Sequence, residues 1–241
     1  MEELKIPRKY QDMLEKFAAG LKDIYADELV SLALYGSAAS GEFAGGHSNL
    51  NLLVVLKNTD LQTLKKASML LNKFKAVNPL FLSPEYISGS TDIFPIEFLD
   101  MKENYSLVYG RDILKDIQVD ARNLRFQCEQ ELKAKLLKLR QGYVALNNDA
   151  SELRGLLFAS FTSILHIARN LLRIKGLKPP YLKSEIMGKI ASEFNLDINI
   201  WKKILAAKNK QIKLPSKEIE QLFVSFVKEL ELIVDIAEKA D

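Results

Sequence analysis

Two short apolar runs joined by a glycine-rich connection constrain this chain more than any other stretch. Residues 30–35 (VSLALY) and 50–56 (LNLLVVL) are apolar nearly throughout, as strands covered on both faces would be. Gly36 and Ser37 follow the first run, and the segment between the runs has room for a short helix and the glycine-rich GEFAGG. A glycine where a strand feeds a helix lets a phosphate approach the backbone, and the following N–H groups and the Ser37 hydroxyl can donate to it. Taken alone, Gly-Ser after a strand is a common turn. Asn49 and Asn51 flank Leu50 at strand spacing, so their side chains share a face.

Residues 8–26 carry Tyr10, Leu14, Phe17, Leu21 and Ile24 at helical spacing. Asp60 is placed to cap a helix with Leu61, Leu64, Ala67, Leu71 and Phe74 on one face. The piece NPLFLSPEYISGSTD reads as loop or broken helix. Residues 93–101 (IFPIEFLDM) read as a third strand, with Pro95 arguing for an edge or early position, and SLVYGRDIL reads as a short closing element. Near Asp120 the character changes. Long helical patterns cover 120–146 and 152–174, Pro179 and Pro180 break the chain, and shorter ones cover 183–194 and 198–208. The last follows Pro215, with Ser216 as N-cap and Ile219, Leu222, Phe223, Phe226, Leu230 and Ile233 inward. The expected class is α+β: a mixed-sheet domain over 1–115, then an all-α helical bundle over 120–241.

A chain of 241 residues can bury one sizeable core or two modest ones, and a net charge of +3 argues for no nucleic-acid surface. The single cysteine, Cys128, excludes an internal disulfide and suits a reducing cytoplasm; its helical setting makes it a small buried hydrophobe. The N-terminus lacks the apolar core of a signal peptide, and no run reads as long enough to span a bilayer. The expected location is cytoplasmic.

The stretch LYGSAASGEFAGGHSNLNLLVVL, residues 34–56, resembles the active-site segment of the nucleotidyltransferase superfamily, and is similar to that of aminoglycoside adenylyltransferases and minimal nucleotidyltransferases. The resemblance implies that Gly36 and Ser37 grip a nucleoside triphosphate. It implies also that Asn49 and Asn51 occupy the positions of an Asp-x-Asp pair holding two Mg²⁺ ions. An amide oxygen can ligate Mg²⁺ but supplies no charge against the desolvation of a tightly hydrated ion. A third acid belongs on the neighbouring strand, where Glu97 matches the base that takes the acceptor's proton. Strand alternation would put Glu97 and Leu99 on one face and Asp100 on the other. The bland alternative for Glu97 is a solvated strand-end charge, and for the asparagines it is ordinary strand-end hydrogen bonding. His47 reads as a polar loop residue or a substrate contact. His166, inside an apolar helix, reads as a hydrogen-bonded core group.

In the helical half, RIKGLKPPYLKSEIMGKIA resembles the family's helix–Gly–loop–Lys–helix element, which implies phosphate contact by Lys183, with Lys175 and Lys178 as alternatives. A solvated cationic loop is the competing account. The Arg–His ribonuclease spacing of the helical partners of minimal nucleotidyltransferases is absent, since the arginine preceding His166 is Arg154.

Three functions compete. One is a degenerate nucleotidyltransferase that binds a nucleotide or regulates, with impaired Mg²⁺-dependent catalysis. The next is an active transferase moving a nucleoside monophosphate to a small-molecule or protein hydroxyl, with Glu97 as base. The third is a non-catalytic protein-interaction module. A homodimer is left open, and nothing points to a membrane.

Overall fold

The computed structural model describes residues 6–40, 43, 49–146, 149–180 and 182–240. The chain divides into two compact units, Met1–Val119 and Asp120–Asp241.

The first unit opens with α1 (Arg8–Tyr25), whose Leu14, Phe17, Ala18 and Leu21 are buried at the spacing expected. β1 (Leu29–Tyr35), the four-residue α2 (Ser37–Ser40) and β2 (Leu50–Leu56) follow. Asp60 caps α3 (Leu61–Lys65), accepting from the N–H groups of Gln62 and Thr63, and α4 is Ser68–Lys73. The single helix expected here is therefore broken in two, and Leu61 points to solvent. β3 (Val77–Leu82), α5 (Pro84–Ser88), α6 (Pro95–Glu103) and β4 (Tyr105–Gly110) complete the unit's main elements.

The sheet runs β3-β2-β1-β4. β1 is antiparallel to both neighbours, while β2 and β3 are parallel. The two central strands have both faces covered, which explains their unbroken apolar runs. Leu32, Leu34, Leu50, Leu52 and Val54 pack with α1. Ala33, Leu53 and Val55 pack on the opposite face with Ile87, Phe98 and Met101.

The third strand is not where the sequence placed it. Residues 95–103 form α6, with Pro95 at its first position, where the missing N–H costs nothing and the fixed φ suits the turn. Phe94 before it, at φ −121° and ψ 49°, stays out of the α region that a following proline disfavours. The strand is instead β3, drawn from the proline-containing piece read as loop; Pro79 is tolerated because β3 is an edge strand.

Among the described residues the second unit has five helices: α7 (Ala121–Ala145), α8 (Ala150–Ile174), α9 (Lys183–Phe194), α10 (Ile198–Lys208) and α11 (Ser216–Lys239). Asp120, Asp149 and Asp197 cap α7, α8 and α10 through their side chains. Pro215, not Ser216, holds the N-cap position of α11. Phe161, Trp201 and Phe226 meet ring to ring in the core, with centroids 5.4 to 6.1 Å apart. Burial of rings of this size is worth about 1.5–3 kcal/mol each. Cys128 is buried, as its setting suggested. One correction concerns α8: it is long and apolar enough to cross a bilayer by length and composition, yet most of it is buried inside this unit, as a core helix is. His166, expected in that core, lies on the exposed side of α8.

Candidate functional site

β1 ends at Tyr35, and the chain turns at Gly36 with φ +74°, a left-handed conformation that favours glycine. The Gly36 N–H donates to the Asn104 carbonyl at 3.2 Å, and the Gly36 carbonyl accepts from Ala39 and Ser40, both at 3.0 Å. These bonds fix the turn that presents half-buried Ser37 at the start of α2. A Cβ built on Gly36 would stand 3.3 Å from Nδ2 of Asn51, so the turn and the second asparagine face each other closely.

Asn51 pairs with Tyr35 across β1 and with Asn78 across β3. Side chains directly opposite one another share a face, and Asn78 Nδ2 donates to Asn51 Oδ1 at 3.1 Å. Tyr35 in turn pairs with Tyr105 of β4. One face of the sheet end therefore carries a row Asn78–Asn51–Tyr35–Tyr105. Burial raises the Tyr35 phenol above its ordinary range. Burial, and next the hydrogen bond to Asp112, push Tyr105 up to about 12. Its hydroxyl donates to the Asp112 carboxylate at 2.9 Å. Both phenols stay protonated at neutral pH, so the row carries no charge of its own. Asn49 is exposed just before β2, where the N–H of Leu50 donates to the Ala76 carbonyl at 2.8 Å.

Glu97 does not lie on a strand beside the asparagines. It is an exposed residue in the first turn of α6, so the alternation that set it apart from Asp100 does not apply. His47 and Ser48 fall outside the described residues. Asn78 was missed by sequence reasoning because its strand was missed. The parallel register is what brings it to Asn51.

Whether these residues suit the Mg²⁺ pair implied by the resemblance is a question of donor chemistry. Among the described residues no group of three or more His, Cys, Asp or Glu side chains could hold a metal ion. The Asn51 oxygen already accepts from Asn78. Asn104, whose carbonyl takes the Gly36 N–H, has its own Nδ2 buried with no hydrogen-bond partner among the described residues. An unmet N–H donor calls for an acceptor or an anion. The residues do not fit a Mg²⁺ pair.

In the helical unit, Lys183 is the exposed first residue of α9. Burial, and after it the charge of Lys183, hold Lys208 below the usual lysine range, while Lys208 Nζ donates to the Phe158 carbonyl at 2.7 Å. Lys175 is committed to Glu193 at 3.3 Å and lies over the Phe194 ring. Lys178 is exposed. Asn170 and Arg169, on α8, are buried polar residues that the sequence reading did not single out.

No protein-family model matches the chain, and no curated protein matches it. Among solved structures it is similar to the spectinomycin adenyltransferase AAD(9) from Enterococcus faecialis, solved with ATP and spectinomycin. That likeness covers 95% of this chain and 99% of the other, with a TM-score of 0.59 and 10% identity. The protein has the fold of an aminoglycoside adenylyltransferase: a nucleotidyltransferase-like mixed sheet with a helical bundle.

Proposed function

We propose that this protein is a degenerate nucleotidyltransferase-fold protein that binds a nucleotide, in a regulatory role, without metal-dependent turnover. The observation that carries the reading is an asymmetry at the end of the sheet. The Gly36 turn keeps its left-handed backbone and its approach to Asn51, while the positions that would hold cations carry amides. The spectinomycin adenyltransferase of like fold was solved with ATP, which supports a nucleotide as the ligand.

On this reading the Ser37 hydroxyl and the N–H groups at the start of α2 receive phosphate oxygens. The close approach at Gly36 admits them. Without fixed carboxylates, the metal-held activation of an acceptor hydroxyl and neutralisation of leaving pyrophosphate have no support. Glu97 is an exposed residue of the first turn of α6 and does not stand on a strand beside the amides.

The test is a pair of assays on the intact chain. Calorimetric titration with ATP should show saturable binding, and incubation with ATP, Mg²⁺ and a panel of hydroxylated acceptors should release no pyrophosphate. Magnesium-dependent pyrophosphate release that disappears in Glu97→Ala would establish the active transferase instead. No heat with any nucleotide would favour the interaction module.

A further inference from the structure

We infer that the strand edge which holds divalent cations in the adenylyltransferases is, in this chain, a three-amide edge of Asn49, Asn51 and Asn78 that receives a phosphate group directly, with no metal ion between them. The inference rests on the reading that this site takes a nucleotide.

The resemblance expects a third acid on the strand next to β2. The parallel neighbour of β2 is β3, and the residue in register with Asn51 there is Asn78. The amide substitution therefore extends to the third position. The hydrogen bond between the two amides matters more than their count. It engages Oδ1 of Asn51, the atom a cation would seek, and leaves Nδ2 of Asn51 beside the Gly36 turn. The unmatched Nδ2 of Asn104 belongs to the residue that anchors the same turn. Next in the row stand two phenols. Amide N–H groups suit an anionic oxygen, as a metal pair suits carboxylates. Two cations placed here would repel each other with amides, not carboxylates, between them.

The experiment combines two readouts on the full chain. In ATP titrations with EDTA, the wild type should bind. Asn78→Asp, which sets a carboxylate against the phosphate, should lose at least about tenfold in affinity, and Asn78→Ala about threefold. Both changes fall at an exposed position, and circular dichroism confirms that each variant is folded. In the second readout, Mn²⁺ is titrated and followed by electron paramagnetic resonance. Wild type should leave the free-ion signal unchanged. The triple variant Asn49→Asp, Asn51→Asp, Asn78→Asp should quench it at least about tenfold more strongly than the double variant lacking the change at 78. Wild-type quenching of Mn²⁺, or unchanged ATP affinity in Asn78→Asp, overturns the inference. ATP binding by the wild type that requires Mg²⁺ overturns it while leaving the nucleotide reading intact. Absence of ATP binding under both conditions removes both.

Discussion

Two buried polar groups, the Glu229 carboxylate of the helical unit and the Asn104 amide of the sheet unit, differ in how far they are satisfied. In the helical unit, Glu229 is buried on α11, and its Oε2 accepts from the Asp197 N–H at 3.0 Å and from Trp201 Nε1 at 3.3 Å. That oxygen ties the start of α10 to the core and is fully used in doing so. In the sheet unit, Asn104 Nδ2 is buried at the Gly36 turn with no partner among the described residues, and Asn51 and Asn78 satisfy one another only in part. A polar group satisfied internally supports the fold, whereas one left with donors to spare supports a ligand. The contrast sets the Asn104 amide at the Gly36 turn apart from a carboxylate engaged in holding the core.

The contrast can be broken by substitution. Phe226→Ala removes a ring from the aromatic core of the helical unit and should cost about 3–5 kcal/mol in urea unfolding, the largest effect expected. Glu229→Ala should cost about 2–3 kcal/mol, because it orphans the Trp201 and Asp197 donors. Gly36→Ala forces a side chain into a left-handed backbone, at about 1–2 kcal/mol, and crowds Asn51. Calorimetry should show its ATP affinity falling about tenfold or more, beyond what the stability loss explains. Asn104→Ala is the mirror of Glu229→Ala. It should leave stability within about 1 kcal/mol of wild type, or raise it, while weakening ATP binding. Equal destabilisation by Glu229→Ala and Asn104→Ala would erase the distinction between the two residues.

A finer test uses pH. The Tyr105 phenol is raised from 10.0 to about 12, by burial first and then by its bond to Asp112. A group whose folded value is raised contributes fully below its unfolded value and is lost as pH climbs through the folded one. The sheet unit should therefore lose stability from pH 10 towards about 12, and Tyr105→Phe should flatten that loss in thermal unfolding scans.

Long amphipathic helices were the most legible part of the sequence. α11 buries the residues its spacing predicted, and α1 buries Leu14, Phe17 and Leu21 with Tyr10 and Ile24 half-buried against the same core, because a repeat sustained over many turns outweighs local noise. β1 and β2 were equally plain, since central strands buried on both faces admit few polar residues. The failure at the sheet edge has a definite cause. The rule that proline marks an edge strand was sound but was applied to Pro95 instead of Pro79. β3 carries a weak, one-sided pattern, while α6 begins with an apolar run that reads equally well as strand. That exchange put Glu97 beside the amides on paper and hid Asn78. The Gly36 turn was readable from local spacing, whereas the approach of Asn51 to it came from the pairing of β1 with β2. The third amide needed the register of a parallel pair, which single-sequence periodicity does not encode.

If amide donors have replaced the metal centre, ATP dissociation constants measured with EDTA and with excess Mg²⁺ should agree within about twofold, because no ion mediates the contact. Binding tighter by about a hundredfold in Mg²⁺ would contradict it.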